Sequence, residues 1–267
     1  MVGIQSRMSE KNRKSILHSH KRGIYFACVF YFYGISYLLI TADTDGRSIM
    51  IKAVIFDMDG LMIDTEKLLL RYWLEAAHAY GYAMTREHVL EIRSLAAKYA
   101  IPKLQQELGE DFDYYKVRKL RLQLMNEHIE KYGLEEKPGL GELLDYLKKN
   151  QYLTAVATAT DWERTEKYLG SLNRLNYFDQ IVCASMVKNG KPDPDIYLET
   201  AFRLQVDPSE CMVLEDSPNG ILSAYRASMY PVMVPDMSQP DEDTRKRLYR
   251  CVSNLSEVIP ILYSLAK

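Results

Sequence analysis

The strongest structural signal in the sequence is the stretch Lys52-Ala-Val-Ile-Phe-Asp57-Met-Asp59-Gly60. Its short apolar run contains β-branched residues and is typical of a buried strand, which stops at two acids. Gly60 then allows a sharp turn where a side chain would obstruct the chain. Two carboxylates on alternate positions at a strand end can face one point, where they repel each other unless a cation binds or one carboxyl keeps its proton. The pattern predicts nucleophile-and-acid chemistry beside a divalent metal, or else a strand that ends in an acidic turn.

Size and composition exclude several classes of protein. The 267 residues, 47% of them hydrophobic, are enough for one or two domains. Lys and Arg number 34 against 36 Asp and Glu, and the net charge of -2 provides no field for nucleic acid. Nothing in the sequence indicates an oligomeric state. The cysteines are dispersed and form no C-x-x-C pair, which predicts reduced thiols in a cytoplasmic protein and neither a disulfide frame nor a zinc site: Cys28, Cys183, Cys211 and Cys251.

Residues 1–49 do not match the rest of the chain. A basic stretch, residues 1–22, precedes an almost continuous apolar and aromatic run, residues 24–40. This run is at the short limit for a membrane span and also resembles the start of a signal peptide. A third interpretation is a misassigned start, since Met50-Ile-Lys-Ala-Val-Ile-Phe-Asp is a natural opening for an α/β domain. A membrane partner is expected only if residues 24–40 are a genuine anchor.

From residue 51 the chain alternates between strand and helix patterns, with one long helical interruption. Residues 65–80 have the apolar spacing of a helix and end at Gly81, and residues 65–133 contain no strand pattern. Pro138-Gly139 marks the return to strands. The helices expected in the interruption are 65–80, 85–92, 94–108 and 112–132.

The alternation resumes after Pro138-Gly139 and predicts an α/β fold, a Rossmann-like and mostly parallel sheet with helices on both faces. Asp161 and Asp193 are expected to cap the helices that follow them. Further strands are expected at 152–158, 180–184, 211–214 and 232–234. Further helices are expected at 140–149, 161–175, 194–204, 218–227, 240–249 and 255–265.

Polar residues follow several of these strands, at the edge where parallel sheets bind their ligands. Thr158-Ala159-Thr160 offers hydroxyls and backbone amides at the start of a helix, which can bind an anion. Lys191 offers a cation in a turn rich in proline, and Glu215 and Asp216 offer oxygen ligands that suit Mg²⁺ better than zinc. Singly, these features could be a helix cap, a solvated lysine and an acidic turn. Together with Asp57 they predict phosphoryl transfer from a small phosphate ester.

These residues resemble the four motifs of the haloacid dehalogenase-like (HAD) superfamily, in the branch with a helical cap after the first motif. The specific combination is Asp57-x-Asp59-Gly60, Lys191-Pro and Glu215-Asp216-Ser-Pro-Asn-Gly. The sequence is similar to the β-phosphoglucomutase-like phosphatases and mutases over residues 51–267. The resemblance implies a HAD-like core from residues 51–64 and 138–267, with an inserted helical-bundle cap over residues 65–137.

The resemblance also implies the roles of the acids. Asp57 would attack phosphorus and form an aspartyl-phosphate. Asp59 would protonate the leaving oxygen and then activate the hydrolytic water. The implied metal is Mg²⁺, held by Asp57, the backbone carbonyl of Asp59 and Asp216, with Glu215 in support.

Three further positions are implied to hold the transferred phosphoryl group: the Thr158 hydroxyl, the Ala159 amide and the Lys191 ammonium. The hinges of cap closure would lie near residues 64–65 and 137–138. The family usually turns on glycine near residues 227–229, where this chain has Ser228, so that turn is expected to be strained or differently built.

The cap departs from the mutase pattern. Those mutases have a histidine where this chain has Leu69, and a glycine and an arginine that grip a second phosphate, absent in register from residues 91–98. Arg93 or Lys98 could substitute, but each is expected to be a helix-surface charge or a contact for a smaller substrate. A Mg²⁺-dependent phosphatase acting on a small phosphorylated metabolite, such as a sugar phosphate, is therefore favoured. The alternatives are a phosphomutase of the β-phosphoglucomutase type and, from another class, a membrane-tethered or regulatory module without turnover.

Overall fold

The computed structural model describes residues 28–32, 35–39, 50–93, 95–237 and 239–266. The chain divides into two units, Ile51–Tyr263 and a smaller one made of Met1–Met50 with Ser264–Lys267. Every predicted site residue lies in the larger unit.

Before Met50, the described part of the smaller unit is a pair of short strands. Strand β1, Cys28–Phe32, pairs antiparallel with β2, Ile35–Leu39, so that Cys28 lies opposite Leu39. Within the described residues, no helix combines the length and the apolar character needed to cross a membrane. The remaining residues of the predicted anchor or signal, and most of residues 1–49, lie outside the described part of the chain.

A six-stranded sheet is the centre of the larger unit, and all of its strand pairs are parallel. Strand β3, Ala53–Phe56, lies between two neighbours and is fully buried, which explains why its sequence is a continuous apolar run without alternation. The strand order is β5-β4-β3-β6-β7-β8, with β4 Leu153–Thr158, β5 Gln180–Cys183, β6 Cys211–Glu215, β7 Tyr230–Met233 and β8 Arg250–Cys251. The predicted α/β class with a mostly parallel sheet is confirmed, although β8 was not predicted.

The predicted helical interruption is confirmed. Its helices are α1 Glu66–Ala79, α2 Arg86–Glu91, α3 Ala97–Leu108 and α4 Tyr114–Tyr132, and the described residues between 65 and 133 contain no strand. These helices bury a hydrophobic cluster of their own, which includes Trp73, Leu104 and Phe112. We call residues 65–137 the helical segment.

The two connections of the helical segment to the sheet lie side by side. Ile63 forms an antiparallel bridge with Glu136, and the Asp64 N–H donates to the Glu135 carbonyl at 2.9 Å. The Lys137 ammonium lies 3.2 Å from Asp64 and 2.8 Å from Asp236. The expected division into core and cap, with hinges near residues 64–65 and 137–138, stays a prediction.

Most predicted helices of the sheet region are confirmed: α5 Leu140–Lys149, α6 Trp162–Ser171, α7 Asp195–Leu204, α8 Pro218–Arg226 and α10 Val258–Leu265. Asp161 caps α6 by accepting a hydrogen bond from the Arg164 N–H. Asp193 does not cap α7, because that helix begins after Pro194 and the Asp193 carboxylate accepts from Tyr99 instead. The helix expected at 240–249 was too long. Only Glu242–Arg245, α9, is helical there, since the chain next extends to pair as β8 with β7.

Two predicted turns have the expected backbone. Gly60 has φ +83°, and a Cβ there would lie 2.5 Å from Oδ2 of Asp216, so the close approach to that carboxylate requires glycine. Ser228 also has a left-handed backbone, φ +60°, which costs a non-glycine residue about 1 kcal/mol. The turn thus keeps a glycine-like conformation at a serine, the strained form of the two that were expected.

Candidate active site

Adjacent strands bring the predicted residues together at one edge of the sheet. Phe56 of β3 lies level with Val156 of β4 and Leu214 of β6, so the residues that follow these strands meet. A cavity of about 510 Å³ opens there. It is lined by the following predicted site residues: Asp57, Asp59, Arg93, Lys98, Thr158, Ala159 and Lys191. Glu215 and Asp216 are fully buried.

Lys191 is a buried cation between two carboxylates. Its ammonium donates to Asp57 Oδ1 at 2.5 Å, to Glu215 Oε1 at 2.6 Å and to the Ala157 carbonyl at 3.2 Å. Burial alone would favour the neutral amine, but the charges of Asp57 and Glu215 outweigh it and raise the pKa of Lys191. With 1% exposure, Lys191 is not the solvated loop lysine of the alternative interpretation.

Three carboxylates, those of Asp57, Glu215 and Asp216, form an acidic group whose ligand atoms lie within 4.8 Å of one another. Burial raises the pKa of Asp57 well above its usual range, with Lys191 opposing and the other two acids reinforcing the shift. Burial likewise raises the pKa of Asp216. All the donor atoms of the group are hard oxygens of the kind that bind Mg²⁺.

The carboxylates of Glu215 and Asp216 differ in their hydrogen-bond partners. Glu215 accepts from Tyr197 at 2.7 Å and from Ser217 Oγ at 3.0 Å, as well as from Lys191. Asp216 has two buried side-chain oxygens that accept no hydrogen bond from any described residue. Buried carboxylate oxygens that accept no hydrogen bond are costly, and a bound cation would lower that cost. The residues present therefore fit a divalent metal at Asp57 and Asp216, with Glu215 behind them.

Asp59 faces the same cavity but has different partners. Its Oδ1 accepts from the Thr65 hydroxyl and its Oδ2 from the Thr160 hydroxyl, both at 2.7 Å. The Thr160 N–H in turn donates to Thr158 Oγ1 at 3.0 Å. Two hydroxyls thus fix the orientation of the carboxyl group, and one of them is linked to the predicted anion-binding turn.

Arg93 is not a helix-surface charge, which was one of the two roles expected for it. It lies in the turn after α2 with only 6% exposure, and its Nη2 donates to the Asp216 carbonyl at 2.7 Å. The same nitrogen lies 3.0 Å from Asp216 Oδ2, without hydrogen-bonding geometry, and Nε lies 3.7 Å from Glu66. Burial raises the pKa of Glu66 to about 8. The helical segment therefore places a buried cation directly against the acidic group.

Lys98 is more exposed and contacts the loop that carries Lys191. Its ammonium donates to Asn189 Oδ1 at 2.6 Å and to Asp193 at 3.3 Å. The Ala96 N–H donates to the Lys191 carbonyl at 3.1 Å. The start of α3 is thereby joined to the sheet edge beside the cavity.

The cavity-lining residues that sequence reasoning missed include Arg118, Arg121, Arg164 and Tyr168. We call the three arginines the arginine cluster. A signal for one of them was present, because the buried residues of α4 are Tyr114, Val117, Arg121, Met125 and Ile129, at helical spacing. An arginine within an apolar stripe indicates a buried cation.

Comparison with known proteins agrees with this geometry. The sequence model of the haloacid dehalogenase-like hydrolase family matches residues 54–234. The chain is 35% identical over 178 residues to the phosphorylated carbohydrates phosphatase of Thermotoga maritima, which covers 67% of this chain and 82% of that protein. It is 29% identical over 189 residues to the β-phosphoglucomutase of Bacillus subtilis, covering 68% and 83%.

The fold is also similar to that of a solved phosphomutase structure. The crystal structure of a β-phosphoglucomutase from Clostridium difficile superposes with a TM-score of 0.68 at 23% identity, covering 81% of this chain and 98% of that one. The chain belongs to the haloacid dehalogenase-like hydrolase family, as its motifs predicted, and it is an enzyme of that family.

Gly220 provides a test of how tightly the acidic group is packed. A Cβ at this buried position in the first turn of α8 would overlap the carboxylate of Glu215. We expect Gly220→Ala to lower the free energy of unfolding by about 2 kcal/mol or more, because overpacking displaces the Glu215 side chain from its donors. Urea unfolding measures the change.

Gly170 in α6 is the matched control, because a Cβ there would meet only Leu175 Cδ1, at 3.4 Å. Gly170→Ala should raise stability by about 0.5 kcal/mol, since alanine is the better helix former. Similar stabilities for the two variants would contradict the close approach of Gly220 to Glu215.

Proposed function

We propose that the protein is a Mg²⁺-dependent phosphatase that hydrolyses a small phosphorylated metabolite through an aspartyl-phosphate at Asp57. The main observation in support of the proposal is the acidic group of Asp57, Glu215 and Asp216 beside the Lys191 ammonium. Asp57 and Lys191 line a cavity that Asp59 also faces. The names of the phosphatase and mutase relatives support the same chemistry and a phosphorylated sugar as substrate.

In the first step an Asp57 oxygen forms a bond to phosphorus while the bond from phosphorus to the substrate oxygen breaks. Asp59 donates its proton to that leaving oxygen, so the alcohol departs neutral. In the second step water attacks phosphorus, Asp59 takes the proton, and inorganic phosphate leaves with Asp57 restored. Hydrogen bonds from Thr65 and Thr160 keep the Asp59 carboxyl aimed for both proton transfers.

Binding of the transferred group falls to Thr158, the Ala159 amide and Lys191, which all line the cavity. Mg²⁺ would be held by Asp57, Asp216 and the backbone carbonyl of Asp59, with Glu215 in support. When bound, it neutralises charge on the phosphoryl oxygens and on the carboxylates. The buried oxygens of Asp216, which accept no hydrogen bond from any described residue, support this assignment.

The helical segment is proposed to be a cap that closes over the cavity and excludes water during the first step, bending near residues 64–65 and 137–138. Leu69 lines the cavity at the position where the mutases of this group have histidine, and this favours hydrolysis.

A cytoplasmic location is proposed because Cys183, Cys211 and Cys251 are free.

The first test is phosphate release from simple phosphate esters. Wild-type protein should release phosphate with Mg²⁺ and not with EDTA. Asp57→Asn should retain less than about one thousandth of the activity, because the amide cannot act as the nucleophile. Asp243→Asn, at an exposed aspartate of α9, is the control and should behave as wild type. Equal release by wild type and Asp57→Asn would refute the proposal.

The metal site is tested by thermal unfolding. Mg²⁺ at 100 times its Kd should stabilise the protein by about 2.7 kcal/mol, because it binds the folded chain only. The corresponding rise in Tm should vanish in Asp216→Asn and persist in Asp243→Asn. A rise of the same size in Asp216→Asn would place the metal elsewhere.

The competing candidate is a phosphomutase, which the β-phosphoglucomutase relative suggests. We expect no interconversion of sugar monophosphates when a sugar bisphosphate is supplied as primer, while phosphate release continues. Leu69→His is the informative variant, since it restores the mutase residue. Interconversion faster than hydrolysis in the wild type would reverse the assignment.

A further inference from the structure

Arg121 is a buried cation that pairs with no anion among the described residues. Its side chain lines the cavity from α4, with 5% exposure. Its Nε has no hydrogen-bond partner in the described part of the chain, and Nη1 contacts only the sulfur of Met125, at 3.8 Å. Within the described ranges, no carboxylate lies within 4.0 Å of it. A buried guanidinium in this state is unfavourable unless a ligand supplies the negative charge.

The other two members of the arginine cluster increase the positive charge. Arg118 lies three residues earlier on α4, on the same side of the helix, and forms no ion pair with any described residue. Arg164 of α6 is paired with Asp161 at 2.8 Å. Burial, together with the charges of Arg164 and Arg118, lowers the pKa of Arg121 to about 10, which leaves it charged at neutral pH.

Tyr168 is a second unpartnered donor in the same cavity. Its hydroxyl is buried, at 1% exposure of the residue, and forms no hydrogen bond with the residues that the structure describes. Burial and the negative charge of Asp59 raise the pKa of Tyr168 to about 12, so it is a neutral donor. One anionic group could accept from both Tyr168 and Arg121, which would satisfy the two buried groups at once.

We propose that the arginine cluster and the Tyr168 hydroxyl bind a second anionic group of the substrate, a phosphate or a carboxylate. The inference rests on the proposed function, because the phosphate that is hydrolysed is the one at Asp57. Arg93 and Lys98, the substrate contacts that the sequence suggested in the helical segment, are already paired with protein groups. Arg121 has no such partner among the described residues. The preferred substrates are phosphate esters that carry a further negative charge.

A structural role for Arg121 makes a different prediction. Its guanidinium lies 5.2 Å from the ring centre of Trp73 in α1, and this cation–π contact alone could explain why the residue is an arginine. In that case Arg121→Met should lower the Tm of the ligand-free protein. If the anion is the reason for the arginine, Arg121→Met should leave the Tm unchanged or raise it, because methionine removes an unpaired buried charge.

Matched substrate pairs test the proposal directly. One pair is glucose 1,6-bisphosphate and glucose 6-phosphate, and the other is phosphoglycolate and ethyl phosphate. In at least one of the two pairs, kcat/KM of the wild type should be at least tenfold higher for the ester that carries the second anionic group. The pair that shows the preference identifies phosphate or carboxylate as the bound group.

In Arg121→Met this preference should vanish, chiefly through a higher KM, and Arg121→Lys should restore part of it. Arg71→Met is the control, since Arg71 lies on α1 with 64% exposure and does not line the cavity. An unchanged substrate preference in Arg121→Met, or an equal loss of kcat/KM for both members of a pair, would overturn the inference.

Failure of the inference and failure of the proposed function give different results. If the wild type hydrolyses all four esters without preference, the phosphatase stands and the second anion site is wrong. If it hydrolyses none, the proposed function is wrong. Binding then decides the inference. Glucose 1,6-bisphosphate should raise the Tm of Asp57→Asn more than glucose 6-phosphate does, and should not do so in the double variant Asp57→Asn with Arg121→Met. If glucose 1,6-bisphosphate raises the Tm of the single and the double variant equally, the inference is overturned.

Discussion

The interaction on which the site depends is the buried ammonium of Lys191, within 2.6 Å of both Asp57 and Glu215. Without this cation, three adjacent carboxylates would stand in a region of low dielectric, where they would take up protons or separate. Lys191 also fixes the geometry of parts that are distant in the sequence, since Asp57 follows β3 and Glu215 ends β6. Its backbone carbonyl accepts from Ala96 at the start of α3. One residue thus connects the centre of the sheet with the helical segment.

What could be predicted from the sequence followed from two local rules. A continuous apolar run such as Ala53–Phe56 indicates a strand buried on both faces, and residues after parallel strands share one edge of the sheet. These two rules are sufficient to bring Asp57, Thr158 and Asp216 to one place. The strand Arg250–Cys251 could not be predicted, because two residues carry no periodic pattern and the strand exists only through pairing with β7. The helix expected at 240–249 was too long, since only Glu242–Arg245 is helical there.

The charges of the helical segment show where local rules end. A helix-surface charge was one of the two roles expected for Arg93. The sequence could not exclude it, because the partners of Arg93, Asp216 and Glu66, are not its neighbours on a helix. Arg121 occupies an apolar stripe of α4, and the spacing alone indicated burial but not the cavity it faces. Whether a buried arginine serves packing or a ligand depends on which side chains surround it, and that information is tertiary. Among the described residues Arg93 has carboxylate partners and Arg121 has none, and this difference separates the two roles.

The side-by-side connections at Ile63 and Glu136 have an evolutionary consequence. Because the two ends of the helical segment meet at adjacent backbone positions, its replacement by a longer or shorter insert would change the loop-closure entropy of the sheet only slightly. The carboxylates and Thr158 come from strand ends outside the helical segment, and Lys191 comes from a loop that is also outside it, whereas Arg118 and Arg121 come from within it. With the roles proposed for these residues, bond breaking and substrate choice are encoded in separately exchangeable stretches of the gene, and one can diverge quickly while the other stays fixed.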